Sequence, residues 1–153
     1  MSALPFFYIK EKYASNSYNG GIVFQKTMIN DLPIPRFSNE QFLSLTNFGK
    51  ELFKLSSEQK NINNEYITLI ETEFEIDRKK IVNWHELSFK EFLNKLNICV
   101  KGEDKDEFIL RFNKYKSKMS SIKEKIQDIE EQCNNYILSI YKMTDDDIHI
   151  ILR

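Results

Sequence analysis

The amino-acid sequence predicts a mainly α fold, in which a long antiparallel two-helix coiled coil carries a short helical insert and a small N-terminal α/β region. Three observations lead to this prediction. Glycine and proline are scarce, with 4 and 3 among 153 residues, while 29% of the residues are charged; such a composition favours long helices over a many-stranded sheet. An apolar repeat with alternating steps of four and three runs along residues 108–140. A second helical pattern of similar length precedes it, and a compact segment separates the two.

Residues 1–37 differ in texture from the rest of the chain, because they hold all three prolines and two of the four glycines. The Asn-Gly-Gly turn at residues 19–21 precedes the β-branched and aromatic residues 22–24, which is typical of a turn into a strand. The Leu-Pro-Ile-Pro sequence at residues 32–35 cannot be helical, since each proline keeps its predecessor extended. We expect a helix, a turn, a strand and a proline-rich exit, too short to form a stable sheet alone.

Residues 38–75 are predicted to form one long helix. Ser38 and Gln41 have the spacing of a capping box, in which each side chain serves the other's backbone donor. Gln59 interrupts the apolar seam of this helix, and Gly49 is its weak point. The seam consists of Leu45, Phe48, Leu52, Leu55, Ile62, Tyr66 and Leu69.

Residues 76–103 are predicted to be a linker with a short helix. Ser88 and Glu91 repeat the capping-box spacing and open this helix. A polar turn around Gly102 ends it.

Residues 104–142 are predicted to form the second long helix, and they carry the clearest pattern in the chain. An unbroken repeat over four heptads is typical of a coiled-coil seam. An antiparallel pairing with the first long helix is our first choice, and a parallel homodimer is the alternative. The seam consists of Phe108, Phe112, Tyr115, Met119, Ile122, Ile126, Ile129, Cys133, Tyr136 and Ile140.

Residues 143–153 are predicted to form a terminal short helix capped by Thr144 and Asp147. The three aspartates at residues 145–147 fall in its first turn, where they complement the helix dipole. We therefore do not interpret them as a metal site.

Several classes of protein do not fit the sequence. The only histidines, His85 and His149, are far apart, and no phosphate-binding loop or nucleophile elbow is present, so that we expect no catalytic residue, metal or cofactor in this chain. Cys99 and Cys133 make neither a disulfide framework nor a zinc set, which indicates a reducing cytoplasm. No apolar run approaches the roughly 20 residues of a membrane-spanning helix, and no signal peptide is visible.

Two groups of residues are candidates for DNA contact. Around the N-terminal turn, basic, amide and aromatic side chains are mixed, as in a loop that reads a groove. Residues 105–125 carry seven positive charges against three negative ones, which suits contact with phosphates. Both patterns are also typical of solvated loops and of the outer face of a coiled coil. The candidates are Lys10, Lys12, Asn16, Tyr18, Asn19 and Lys26 in the first group, and Lys114 and Lys118 in the second.

Three segments carry a resemblance to a known family. They are residues 18–35, residues 84–93 (Trp-His-Glu-Leu-Ser-Phe-Lys-Glu-Phe-Leu) and residues 141–148 (Tyr-Lys-Met-Thr-Asp-Asp-Asp-Ile). In this order the chain resembles the C-terminal part of N6-adenine DNA methyltransferases, and above all of type IIG restriction–modification enzymes. The segments are similar to the end of a target-recognition domain, to the linker between long helices and to the family's usual ending.

The family's catalytic motifs are missing from the chain. Neither the Asn-Pro-Pro-Tyr signature nor a glycine-rich S-adenosylmethionine loop occurs, and the acidic-lysine metal site of the nuclease is absent. The resemblance therefore implies a non-catalytic C-terminal piece, in which residues 1–37 are the remnant of a target-recognition domain. The parent enzyme would methylate adenine with S-adenosylmethionine, would use Mg²⁺ where it also cleaves, and would bind double-stranded DNA. The alternative is a free-standing coiled-coil module that binds a partner protein.

Overall fold

A computed structural model describes residues 3–13, 26–98 and 102–151 of the chain. These residues form α-helices joined by short segments, and two 3-10 turns, Arg78–Lys80 and Trp84–Glu86, lie between the third and fourth helices. No β-strand occurs in these three ranges, and the predicted turn and strand at residues 19–24 lie outside them. The helices are α1 (Ala3–Tyr13), α2 (Lys26–Asn30), α3 (Asn39–Phe74), α4 (Phe89–Leu96), α5 (Glu103–Ile140) and α6 (Asp145–Ile151).

The chain divides into two compact units. Unit 1 comprises Met1–Gly49 and Ile129–Arg153, and unit 2 comprises Lys50–Asp128. Each long helix therefore contributes to both units.

Unit 2 is an antiparallel hairpin of α3 and α5. The ring of Phe74 packs against Phe108 with centroids 5.3 Å apart, and Tyr66 packs against Tyr115 at 4.9 Å. Residue numbers fall along one helix as they rise along the other, so that the helices run in opposite directions. The predicted intramolecular pairing is thereby confirmed.

The insert between the two helices covers one side of this hairpin. Trp84 is fully buried, and its indole Nε1 donates a hydrogen bond to Asn63 Oδ1 at 2.9 Å. Phe92 and Leu96 of α4 are buried in the same cluster. Lys116 Nζ donates to the Leu87 carbonyl at 2.6 Å, which fixes the start of the insert's helix against α5. The insert thus completes the core of unit 2.

The seam of α5 is covered along its length. Six of its residues are buried, namely Phe108, Phe112, Tyr115, Met119, Ile122 and Ile129. Ile126, Cys133, Tyr136 and Ile140 are half-buried.

The seam predicted for α3 is wrong at its C-terminal end. Leu69 is 40% exposed, whereas Ile67 and Ile70 are buried. The insert is the physical reason, because Ile67 and Ile70 share the hydrophobic cluster of Ile81 and Trp84. A heptad pattern assumes one helical partner, while this part of α3 has two.

All three predicted capping boxes are confirmed. Ser38 N donates to Gln41 Oε1 at 2.9 Å, and Gln41 N donates to Ser38 Oγ at 3.1 Å. The same reciprocal bonds join Ser88 with Glu91 and Thr144 with Asp147. These bonds satisfy backbone donors that a helix start leaves without partners, and they set where α3, α4 and α6 begin.

Unit 1 brings together the described parts of both chain termini. Among its described residues, Ile9, Met28, Ile129 and Leu138 are the buried hydrophobic ones, and α1 contacts α6. Residues 32–37 are not helical, as their prolines predict.

Unit 1 also shows how the chain turns from α5 into α6. Lys142 adopts a left-handed conformation (φ 54°), and Met143 N donates to the Leu138 carbonyl at 3.3 Å. Such a backbone turn ends α5 and lets Thr144 cap α6.

Candidate functional site

Among the N-terminal candidates for DNA contact, Lys12 forms hydrogen bonds within the protein. Lys12 Nζ donates to Tyr8 Oη and to Asp31 Oδ2, both at 3.2 Å, and the Tyr13 hydroxyl also donates to Asp31. The bonds with Tyr8 and Asp31 raise the pKa of Lys12, and those from Tyr13 and Lys12 lower the pKa of Asp31. Lys12 therefore helps to hold α1 to the end of α2, and its charge is balanced there.

For the remaining N-terminal candidates the structure gives at most a position on a helix. Lys10 is exposed on the last turn of α1 and has no ion pair within the described residues. Lys26 is the first residue of α2. Asn16, Tyr18 and Asn19 lie outside the described residues.

The second group of candidates for DNA contact, Lys114 and Lys118, forms part of a row of lysines on α5. Lys114 and Lys118 are exposed, and Lys118 Nζ lies 5.5 Å from the centroid of the Tyr115 ring. Lys125 is also exposed and lies seven residues beyond Lys118. At about 100° per residue, all three side chains leave the helix within about 40° of each other. We call these three residues the lysine row; none of them forms an ion pair within the described parts of the chain.

Other basic residues of this stretch serve the fold. Arg111 is paired with Glu73 of α3, and Lys116 is bound to the Leu87 carbonyl. Tyr115 donates its hydroxyl to Glu65 of α3 at 2.5 Å. The basic residues of the stretch 105–125 therefore include two groups. Arg111 and Lys116 bind other parts of the fold, whereas the lysine row is exposed and could bind a ligand.

An apolar cavity of about 540 Å³ lies in unit 1. Its wall is built by α1, residues 32–37, the start of α3, the end of α5, and the segment through α6. The lining residues are Leu4, Phe7, Tyr8, Glu11, Leu32, Pro33, Ile34, Phe37, Leu45, Ile137, Tyr141, Met143, Asp147 and Ile150. We call this space the unit 1 cavity.

Hydrogen bonds hold the wall of the unit 1 cavity in place. The Tyr141 hydroxyl donates to the Pro33 carbonyl at 2.7 Å, which ties the end of α5 to the proline segment. Asp147 accepts bonds from the backbone N and the hydroxyl of Thr144, and these bonds lower the pKa of its carboxyl. Asp147 therefore stays ionised, and Glu11 is the other carboxylate of the lining.

The described residues hold no group of three or more His, Cys, Asp or Glu side chains placed to share a metal ion. His85 lies beside Trp84, with ring centroids 5.9 Å apart, and its Nδ1 is buried without a partner in the described structure. Burial lowers the pKa of His85. This histidine therefore behaves as a neutral packing residue.

Lys125 is one of the seven positive residues counted in residues 105–125, but it is not among the candidates chosen there, and no sequence pattern pointed to the unit 1 cavity. Extending the steps from Lys114 and Lys118 along the helix would have selected Lys125. The cavity had no such signal, because its wall comes from five separate segments. Among the described residues, no helix combines the length and the apolar character needed to cross a membrane.

The comparisons with known proteins found one family match, and it covers most of the two long helices. A family described as a domain of unknown function, DUF8810, matches residues 38–137, which contain α3, the insert and α5 as far as residue 137. Because the match covers more than half of the chain, the protein belongs to this family. No curated protein and no solved structure matches the chain.

Proposed function

We propose that the chain is a non-catalytic DNA-binding and scaffold region from the C-terminal part of a restriction–modification adenine methyltransferase. The single observation that carries the DNA contact is the lysine row on α5. The three ordered segments at residues 18–35, 84–93 and 141–148 support the assignment to a parent enzyme of this kind. That enzyme would act in the cytoplasm and would supply the S-adenosylmethionine site, and Mg²⁺ where it also cleaves.

The spacing of the lysine row suits contact with a DNA strand. Lys114 and Lys125 are eleven residues apart, which is about 16 Å along a helix axis. A strand of B-DNA advances about 3.4 Å per nucleotide, so that the row extends over about five of them. Contacts of this kind supply affinity and orientation without reading the sequence.

The hairpin is a suitable support for such contacts. Arg111, which lies just before the row, and Tyr115, which lies within it, bind Glu73 and Glu65 of α3. These bonds and the buried seam hold α5 against α3. A braced helix loses little conformational entropy when its lysines bind phosphate.

The test is the salt dependence of duplex binding by the full chain, measured by fluorescence anisotropy with a labelled oligonucleotide. Each phosphate contact contributes about 0.9 to the slope of log K against log salt. The double variant Lys114→Gln, Lys118→Gln should therefore lower the slope by about 1.8. Lys105→Gln is the matched control, because Lys105 lies nine residues before Lys114 and on the opposite side of α5.

Two results would overturn the proposed contact. One is the absence of binding to duplex DNA at low salt. The other is a change of slope of about 0.9 for Lys105→Gln, equal per removed charge to that of the double variant, which would show that only net charge matters. The link to a parent enzyme has its own test, since the DNA upstream of the Met1 codon should encode an adenine-methyltransferase signature in the same frame.

A second candidate function is a protein–protein interaction module. Phe53 (76% exposed) and Leu110 on the long helices of unit 2 favour it, because large apolar side chains in water are suited to a protein partner. Within unit 2 the seam of α5 is already buried, so that a homodimer would use such exposed residues. Light scattering over a range of concentrations tests this, with Phe53→Ser expected to weaken any dimer.

A further inference from the structure

The unit 1 cavity has the properties of a small-molecule site. Its volume of about 540 Å³ lies within the range of roughly 300–1,000 Å³ that is typical of ligand pockets. Ile34 and Ile150 of its wall are 66% and 56% exposed. Covering these side chains with an apolar ligand removes them from water, which is favourable in proportion to the area buried.

The wall comes from several parts of unit 1 and is fixed by bonds that need no ligand. Tyr141 is tied to Pro33, Asp147 to Thr144, and Lys12 to Asp31. A preformed wall lowers the entropic cost of binding. The lining residues come from several segments and not from one periodic helix face.

The charge of the lining selects the head group of a ligand. The hydroxyl of Tyr8 accepts a bond from Lys12, and that of Tyr141 donates to Pro33, so that both are engaged within the protein. Glu11 and Asp147 are the two carboxylates among the lining residues, and the lining contains no lysine, arginine or histidine. Glu11 is exposed and has no partner among the described residues. A positive head group would find two carboxylates at the cavity, and a negative one would be repelled.

We propose that the unit 1 cavity binds a small amphiphile with an apolar chain and a positively charged head group. The chain would occupy the space lined by Phe7, Ile34 and Ile150, and the head would lie at Glu11 and Asp147. This site is independent of the lysine row, which lies in unit 2. Binding there would stabilise unit 1 because the ligand binds the folded chain only.

The test compares dodecylammonium with dodecanoate, which share an alkyl chain and differ in the sign of the head charge. Both are titrated into the full chain below their aggregation concentrations, by calorimetry and by displacement of the neutral dye Nile red. We expect saturable binding of one dodecylammonium per chain, with a dissociation constant at least about tenfold lower than that of dodecanoate.

Two pairs of variants separate the chain contact from the charge contact. Ile34→Gln should weaken both ligands about tenfold, while Ile29→Gln, at another exposed isoleucine of unit 1 (56% against 66% for Ile34) that lies outside the cavity, should weaken neither. Glu11→Gln should reduce the preference for the cation severalfold, and Glu131→Gln, at an exposed glutamate of unit 1 outside the lining, should leave it unchanged.

The following results would overturn the proposal. Absence of saturable binding would show that the cavity is not a ligand site. Equal affinity for the two amphiphiles would show that the carboxylates do not select the head group. An equal loss of affinity in Ile29→Gln and Ile34→Gln would show that the ligand does not bind in the cavity. A concentration-dependent dimer that Ile34→Gln dissociates would show that a second copy covers the cavity instead.

Discussion

Tyr66 offers a direct test of the core of unit 2, because its hydroxyl group is buried without a hydrogen-bond partner among the described residues. The residue is fully buried between aromatic rings, with centroids 4.1 Å from Trp84 and 4.9 Å from Tyr115. Burial also raises the pKa of Tyr66, so that the hydroxyl stays protonated. The substitution Tyr66→Phe removes this one polar atom and keeps the ring.

The expected result is a gain in stability of about 1 kcal/mol. A buried polar group without a partner costs about 1–3 kcal/mol. The small void left by the oxygen takes back a part of that gain, since lost packing costs roughly 24 cal/mol per Å³. A gain of this size raises the melting temperature of a chain of this length by about 2–4 °C.

Tyr115→Phe is the matched control, because it removes the same atom from a neighbouring ring of the cluster. The Tyr115 hydroxyl donates to Glu65, so that its loss should lower the free energy of unfolding by about 1 kcal/mol. Urea unfolding followed by circular dichroism measures both changes, and the m-values should stay equal. A loss of 1 kcal/mol or more in Tyr66→Phe would refute the reasoning, since it would show that this hydroxyl has a partner.

Two further predictions concern the hairpin and its pH dependence. Ile122→Ala should lower the free energy of unfolding by about 3 kcal/mol, because it opens a cavity in the seam, while Leu110→Ala at a 70% exposed site of α5 should change it by less than about 0.5 kcal/mol; equal losses in urea unfolding would contradict the seam. His85 has a pKa lowered from 6.5 by burial, so that its stabilising effect is complete above pH 6.5 and declines as the pH falls toward the folded-state pKa. The unfolding free energy of His85→Gln should therefore fall less than that of the unchanged protein between pH 7 and pH 5, and parallel curves would exclude His85 as the cause.

The two proposed contacts differ in their relation to the family match. The match at residues 38–137 includes the lysine row, so that DNA binding by this row is a hypothesis about the hairpin of the family. The unit 1 cavity lies mostly outside the match, with only Leu45 and Ile137 of its wall inside it. Substitutions at Lys114 and at Ile34 in the full chain therefore test the two proposals separately.

The helices and their starts were predictable because they depend on neighbours in the sequence. Ser38 with Gln41, Ser88 with Glu91, and Thr144 with Asp147 each satisfy backbone donors within one helical turn. The heptad repeat of α5 likewise reports which side of the helix is apolar. The predicted bounds of the long helices, 38–75 and 104–142, differ from the observed ones by two residues or fewer at each end.

The predicted seam of α3 is wrong at Leu69 because a heptad pattern does not report contacts with a second partner. Leu69 and Ile70 are adjacent and chemically equivalent, and the heptad spacing favours Leu69. Burial of Ile70 follows from the position of Trp84 and Ile81, which belong to the insert. The sequence pattern of α3 contains no information about that second partner.

The pairing of charged side chains at the candidate sites also could not be predicted from the sequence. Lys12, Arg111 and Lys116 look like Lys114 and Lys118 in the sequence, but the structure binds the first three to Asp31, Glu73 and the Leu87 carbonyl. Whether a lysine is free for a ligand depends on which residues the fold brings within about 3 Å of it. Such partners lie 19 to 38 residues away along the chain.

The sequence by itself determined the helical class, the helix starts and the apolar side of α5, because these properties come from contacts within a few residues. Only the tertiary structure decided which face of α3 the insert covers, which of the described lysines have no partner in the chain, and that separate segments of unit 1 line an apolar cavity. The physical reason is that the burial of a side chain and the pairing of a charge depend on residues that are close in space but distant in the sequence. A sequence pattern indicates such neighbours only where two segments pack with a regular repeat, as α3 and α5 do.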